Sequence, residues 1–142
     1  MNLVGDVFHN FLDGLIIAAS YLVSIPLGIT TTIAVVIHEI PQEISDFGIL
    51  LHGGFSRKKA LLINFATALT AVLGAVVGLL LSGFINGIEF FLIPIAAGGF
   101  IYIAGSDLIP ELHKEFQLKK SIWQLVMFIF GILIMVALLF LE

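Results

Sequence analysis

Five long apolar stretches, separated by short polar turns, make up nearly the whole chain. They cover residues 1–24, 27–51, 60–83, 90–109 and 121–141. Each is close to the roughly 20 residues that an α-helix needs to cross the hydrocarbon core of a bilayer. The pattern therefore predicts an all-α integral membrane protein, with a single domain over residues 1–142 that forms a bundle of five transmembrane helices. Within the third stretch, Gly74 and Gly78 have the small-xxx-small spacing that predicts close helix packing.

The composition agrees with this class of protein. Of the 142 residues, 60% are hydrophobic and 11% are charged, with a mean hydropathy of +1.17. A soluble domain is about 45–50% apolar and about 25% charged, so membrane lipid is the expected surrounding. A nucleic-acid partner is not expected, because the net charge is −4 and the chain has six Lys and Arg residues. The chain has no Cys, which excludes disulfides, thiolate metal ligands and cysteine nucleophiles.

All basic side chains lie in two loops, around Arg57–Lys59 and Lys114–Lys120. With five helices of alternating direction, these two loops fall on the same side of the membrane. The positive-inside rule makes that side cytoplasmic, so the first helix runs outward. The predicted localisation is a multi-pass protein of the plasma or inner membrane with cytoplasmic basic loops.

Each of the first two helices carries a stripe of polar residues. In the first helix the stripe consists of Asp6, His9, Asn10 and Asp13. In the second it consists of Glu39, Gln42, Glu43 and Asp46, with His38 at its edge. The spacing i, i+3, i+4, i+7 places such residues on one helix face. If the helices are antiparallel neighbours, we expect the two stripes to meet near the bilayer midplane.

These stripes contain acids but no Lys or Arg to neutralise them. An acid at the centre of a membrane helix costs roughly 2.5–3.5 kcal/mol. The acids must therefore be protonated, face water, or bind a cation from solution, and intramembrane ionisable groups often mark an ion or proton pathway. The histidines favour a transition metal, because imidazole suits zinc, iron, nickel and copper, whereas magnesium, calcium and manganese prefer oxygen ligands.

Two motifs in these stripes resemble those of a known family. The runs His9-Asn10-Phe11-Leu12-Asp13-Gly14 and His38-Glu39-Ile40-Pro41-Gln42-Glu43 are similar to the paired signature of the ZIP (Zrt/Irt-like) metal-ion transporters, on that family's fourth and fifth transmembrane helices. Residues 107–111 resemble the end of its seventh helix. The family has eight spans and this sequence resembles the last five, a partial ZIP fold. The resemblance implies either a fragment or a chain that needs the missing N-terminal helices on another chain; a homodimer is a further expected assembly.

The resemblance also implies a binuclear metal site. The matching positions are His9, Asn10, Asp13, His38, Glu39 and Gln42. Asn64, on the next helix, and Glu43 complete the candidate metal ligands. Many family members have His at the position of Gln42, so the preference among Zn²⁺, Fe²⁺ and Mn²⁺ stays open. The implied function is transport of divalent metal ions toward the cytoplasm, with zinc as the first candidate and no enzymatic activity.

Three other functions remain as alternatives. Residues 38–42 resemble the H-E-x-x-H pattern of zinc peptidases, but Gln42 replaces the second His and Pro41 distorts the helix between them. A proton- or ion-conducting subunit would use the acids as titrating groups, and metal-independent proton flux would identify it. A non-transporting chain that binds a partner membrane protein would fit the resemblance to only five of eight spans.

Overall fold

Helices account for all the regular structure that the computed structural model describes, which is residues 3–114, 116–138 and 140, with backbone alone at 107, 108 and 111. The helices are α1 (Leu3–Val23), α2 (Ile25–His52), α3 (Arg57–Ser82), α4 (Glu89–Ile103), α5 (Ile109–Leu112) and α6 (Leu118–Leu138). A π-helical turn at Ala104–Leu108 joins α4 to α5. The predicted all-α bundle is confirmed. The side chains of Asp107 and Glu111, at the two ends of the motif that resembles the ZIP family's seventh helix, lie outside the described residues.

The fourth stretch differs from its predicted form. The sequence pattern predicts one helix over residues 90–109, but α-helical geometry ends at Ile103 and a π-helical turn and α5 continue the segment to Leu112. Pro110 has no backbone N–H and its ring conflicts with the carbonyl one turn earlier. The N–H of Ile109 instead bonds the carbonyl of Ala104, five residues back, as in a π-helix. The final helix also begins at Leu118, before the predicted start at residue 121.

Four helical segments of the described chain are long and apolar enough to cross a membrane: Leu3–Val23, Arg57–Ser82, Glu89–Ser106 and Leu118–Leu138. The 28-residue α2 is not among them, because its second half carries the polar stripe. Its length is nevertheless about 42 Å at 1.5 Å per residue, which exceeds the hydrocarbon core. Helices α1 and α3 pack in parallel, so the helix between them must return along the bundle.

Close contact between α1 and α3 depends on glycine. A Cβ atom on Gly14 would collide with the backbone carbonyl of Ala71, and one on Gly74 would collide with the carbonyl of Phe11. A Cβ on Gly78 would lie 2.9 Å from the Cβ of Ala18. The close packing predicted from Gly74 and Gly78 is therefore confirmed, and it makes α1 the central helix of the bundle.

The buried apolar core is small and lies beside α1. It consists of Leu15, Ala19, Ile88 and Leu92. Most of the large apolar side chains on the other helices are exposed, and none of the described side chains of α6 is buried. In a bilayer such surfaces face lipid tails, which are as apolar as the side chains themselves. This small core therefore does little more than hold α1 in place against α3 and α4.

A single residue, Ser24, separates α1 from α2. Its backbone is extended, and its hydroxyl accepts a hydrogen bond of 3.2 Å from the N–H of Leu27. Pro26 lies in the first turn of α2, where its missing N–H costs no helical hydrogen bond. The predicted helix end at residues 24–26 is thus confirmed. This short connection makes α1 and α2 antiparallel neighbours.

Candidate metal centre

The two polar stripes meet halfway along both helices. Asp13 is the middle residue of α1, and His38 and Glu39 are the middle residues of α2. Ten residues separate Leu3 from Asp13, which is about 15 Å along a helix, or half of a hydrocarbon core of about 30 Å. The predicted meeting of the stripes near mid-depth of the bundle is therefore observed.

Four side chains, two from each helix, converge at this point. The Nε2 atom of His9 lies 3.4 Å from Oδ2 of Asp13 and 3.3 Å from Oε1 of Glu39. The Nε2 atom of His38 lies 3.5 Å from Oδ1 of Asp13 and 3.8 Å from Oε1 of Glu39. One ligand atom from each of the four residues lies within 4.8 Å of all the others. We call these four residues the His–carboxylate centre.

The hydrogen bonding of His38 determines which of its nitrogens carries a lone pair. Its Nδ1 is 2.9 Å from the backbone carbonyl of Ala34. A carbonyl can only accept, so Nδ1 carries the proton and Nε2 of the neutral ring presents a lone pair. Metal-binding histidines commonly have this arrangement, in which the outer nitrogen is held by a carbonyl and the inner one is free for the ion.

The atoms that face one another in the His–carboxylate centre have no hydrogen-bond donor among the described residues. Asp13 is fully buried, with an exposed fraction of 0%, and neither of its carboxylate oxygens has a hydrogen-bond partner. The same is true of Nε2 of both histidines and of Oε1 of Glu39. Buried polar atoms are normally paired, because an unpaired one costs about 1–3 kcal/mol. A cation placed among them would satisfy all these lone pairs together.

The histidine–carboxylate distances, measured to both oxygens of Asp13, are close to the ligand spacing of a tetrahedral ion. A tetrahedral zinc site with bonds of about 2.1 Å has ligand atoms about 3.4 Å apart. The four histidine–carboxylate distances are 3.3, 3.4, 3.5 and 3.8 Å. Two imidazole nitrogens and two carboxylate oxygens are also ligands that zinc accepts.

The N–H₂ groups of the two predicted amide ligands bond to Asp6. The side-chain N–H₂ group of Asn10 donates to the carboxylate of Asp6 at 3.0 Å and to its backbone carbonyl at 3.2 Å. The amide of Gln42 donates to the same carboxylate oxygen of Asp6 at 3.5 Å. Both side chains therefore lie next to the His–carboxylate centre, on the side of Asp6, and their role as ligands stays a prediction.

Glu43 and Asn64 meet at the contact between α2 and α3. The amide of Asn64 donates to the backbone carbonyl of Glu43 at 2.9 Å, and Thr67 donates to the carbonyl of Asn64 at 2.9 Å. One carboxylate oxygen of Glu43 is buried without a hydrogen-bond partner. Neither residue belongs to the group of mutually close ligand atoms, so their ligand roles also stay predictions.

Sequence reasoning missed three contributors to this region. Ala34 orients His38 through its carbonyl, and the ring of Phe100 on α4 packs edge-on against His9 with 5.4 Å between ring centroids. Asp6 lies in the polar stripe, but its role as acceptor for two amides needs the relative rotation of α1 and α2. None of these contacts has a signal in the local sequence except the charge of Asp6.

The fold and the site define a class: a multi-pass helical membrane protein with a buried histidine–carboxylate centre between two antiparallel helices. The comparison with family models agrees, since the ZIP zinc transporter model matches residues 1–139. The chain belongs to the ZIP zinc transporter family.

Individual relatives match over nearly the whole chain. The zinc transporter zipt-7.2 of Caenorhabditis elegans is 43% identical over 140 residues, which is 95% of this chain and 30% of the relative. The ZIP13 homolog of Drosophila melanogaster is 43% identical over 95% of this chain and 39% of its own length. The mouse zinc transporter ZIP13 is 40% identical over 100% of this chain and 40% of its own length. The chain thus spans less than half the length of these relatives. No solved structure matches it significantly.

Proposed function

We propose that this chain takes part in moving a divalent metal ion, with zinc as the first candidate, across a membrane through the His–carboxylate centre. The observation that carries the proposal is the set of buried nitrogen and oxygen atoms of His9, Asp13, His38 and Glu39 that lie within 4.8 Å of one another without a hydrogen-bond partner among the described residues. The matched relatives are named zinc transporters, which supports the same ion.

Charge neutrality gives a reason why an ion could rest at this depth. Asp13 and Glu39 supply two negative charges, and two neutral imidazoles complete the ligand set. A bound divalent cation therefore forms a complex with no net charge, which lowers the cost of its position in a low-dielectric medium. The ligands replace the hydration shell of the ion, and stepwise return of water on the other side releases it.

The basic side chains indicate which end of the bundle faces the cytoplasm, and the proposed movement is toward that end. Arg57, Lys58 and Lys59 lie in the first turn of α3, and Lys119 and Lys120 in the first turn of α6, instead of in the predicted loops. With helices of alternating direction both starts fall at one end of the bundle, and the positive-inside rule favours the cytoplasm for that end. The ion then enters from the opposite end and leaves past Glu43 and Asp46. The relative motion of α1 and α2 opens and closes this route.

Zinc fits the centre better than manganese or iron in the arrangement described. Manganese prefers an octahedral shell of oxygen ligands, whereas this site offers two imidazole nitrogens among its four ligand atoms. Iron(II) accepts histidine and carboxylate ligands and is the second candidate. A second ion at a binuclear site would use the amide oxygens of Asn10 and Gln42, whose N–H₂ groups donate to Asp6.

Flux through liposomes tests the proposal. The 142-residue chain would be reconstituted with a zinc-sensitive dye inside, and a double variant, Asp13→Ala with Glu39→Ala, would be compared with it. We expect zinc entry for the parent chain and background entry for the double variant. Ser82→Ala, a change in a half-buried residue at the end of α3, is the matched control.

Two results would contradict the proposal. One is zinc entry that the double variant leaves unchanged. The other is proton flux without any metal, read with a pH dye in the same vesicles, which would favour a proton-conducting subunit. Zinc binding to the detergent-purified chain, measured by calorimetry, separates an intact site without flux from a site that does not form.

A further inference from the structure

A second pair of acids lies between α1 and α2, apart from the His–carboxylate centre. We propose that Asp6 and Asp46 hold a divalent cation of the oxygen-preferring class, such as Mn²⁺, Mg²⁺ or Ca²⁺. Asp6 is seven residues before Asp13 on α1, so the pair is roughly 10 Å from the His–carboxylate centre along the helix. The assignment concerns binding and does not depend on the transport proposed above.

Both acids are buried, which is unusual for carboxylates. The exposed fraction is 2% for Asp6 and 8% for Asp46. Asp and Glu are almost never this buried unless they are paired. The amide of Gln42 donates to Asp6 at 3.5 Å, and Asp46 lies one turn after Gln42 on the same face of α2. The Oδ2 atom of Asp46 has no hydrogen-bond donor among the described residues.

Neither α1 nor α2 contains Lys or Arg to neutralise these acids. Among the described residues, the neutral amides of Asn10 and Gln42 donate to Asp6, and both bind the same oxygen, Oδ1. Two ionised carboxylates are acceptors only, so a direct contact between them is repulsive. A cation between them turns that contact into an attractive one.

The chemistry of the donors selects the class of ion. The two acids offer carboxylate oxygens, and no histidine belongs to the pair. Glu43 lies three residues before Asp46, about one turn of α2, and its Oε1 is also buried without a hydrogen-bond partner among the described residues. Carboxylates with water suit magnesium, calcium and manganese, whereas the two imidazoles suit zinc at the His–carboxylate centre. The helix pair thus presents two cation positions of different chemistry.

Manganese binding tests this assignment, because free Mn²⁺ is counted directly by electron paramagnetic resonance. The detergent-purified 142-residue chain would be titrated with Mn²⁺ after one equivalent of Zn²⁺ has filled the His–carboxylate centre. We expect Mn²⁺ to bind the zinc-loaded chain at one site. Asp46→Asn should weaken Mn²⁺ binding by at least about tenfold while zinc binding persists.

The matched variant is His38→Ala, which removes a zinc ligand and leaves the acid pair intact. It should lower zinc affinity and leave Mn²⁺ binding unchanged. Helicity and zinc binding of Asp46→Asn confirm that the variant is folded, and Asp46→Glu should retain Mn²⁺ binding because it keeps the carboxylate.

Several results would overturn the assignment. Absence of Mn²⁺ binding to the zinc-loaded parent chain would overturn it and would mean that the two acids share a proton instead of a cation. Unchanged Mn²⁺ affinity in Asp46→Asn would also overturn it, as would loss of Mn²⁺ binding in His38→Ala. The zinc-loaded parent titration decides the matter even where a variant fails to fold.

Discussion

Replacement of Asp13 by Asn should raise the stability of the metal-free chain and shrink the extra stability that zinc gives. Asp13 is fully buried and its two oxygens face His9 and His38. In the metal-free chain the carboxylate of Asp13 lies near that of Glu39, because one oxygen of each is within 4.8 Å of the other. Asp13→Asn removes one of the two charges and retains the shape of the side chain. We therefore expect a metal-free chain that is more stable and a zinc-bound chain that is less stabilised.

The distance sets the magnitude of the first effect. Two unit charges about 4.8 Å apart repel by about 3.5 kcal/mol at an effective dielectric constant of about 20. The side chain of Glu39 is 17% exposed, so solvent screens part of this repulsion. We expect the unfolding free energy of the metal-free chain to rise by about 1–3 kcal/mol in Asp13→Asn.

The second effect follows from mass action. Zinc at about 100 times its dissociation constant stabilises the parent chain by about 2.7 kcal/mol. A variant whose zinc affinity is about 100-fold weaker gains only about 0.4 kcal/mol at the same zinc concentration. Loss of a charged, buried ligand is expected to reduce affinity by at least this factor.

Unfolding in mixed micelles measures both effects. The chain would be titrated with sodium dodecyl sulfate, with and without zinc, while circular dichroism reports its helicity. Ser20→Ala is the matched control, because Ser20 is a buried polar residue of α1 that contacts Thr31 and not the His–carboxylate centre. A full zinc response in Asp13→Asn, or a metal-free variant less stable than the parent, would refute the electrostatic account.

Three further predictions concern packing, capping and pH. Gly74→Ala should destabilise the bundle by about 1–3 kcal/mol, because the added Cβ would collide with the backbone of α1. Gly98→Ala has open space around the added Cβ and should leave the unfolding free energy unchanged. Unfolding in detergent measures both variants. Ser24→Ala should cost about 1 kcal/mol in the same assay, since the N-cap bond to Leu27 is lost, while retention of parent stability would contradict that role. Zinc affinity, measured by calorimetry, should fall as the pH is lowered because protons compete for the imidazole and carboxylate atoms; a pH-independent affinity would exclude these ligands.

The sequence by itself determined the class of fold and the region of the site. Apolar stretches of membrane length leave little choice except helices, because backbone groups in lipid must be paired within the chain. The helical period places Asp6, His9 and Asp13 on one face, and Ser24 with Pro26 marks the reversal that brings α2 alongside. These are local properties, so they can be derived from spacing alone.

Only the tertiary structure decided which polar residues come together. The rotation of α1 against α2 puts Asp13 and Glu39 among the imidazoles, but turns the amides of Asn10 and Gln42 toward Asp6. The π-helical turn after α4 likewise depends on how that segment accommodates Pro110. Helix rotation is set by packing, here by the close approach of α1 and α3 at Gly74. Such contacts join residues far apart in the chain, and no local pattern reports them.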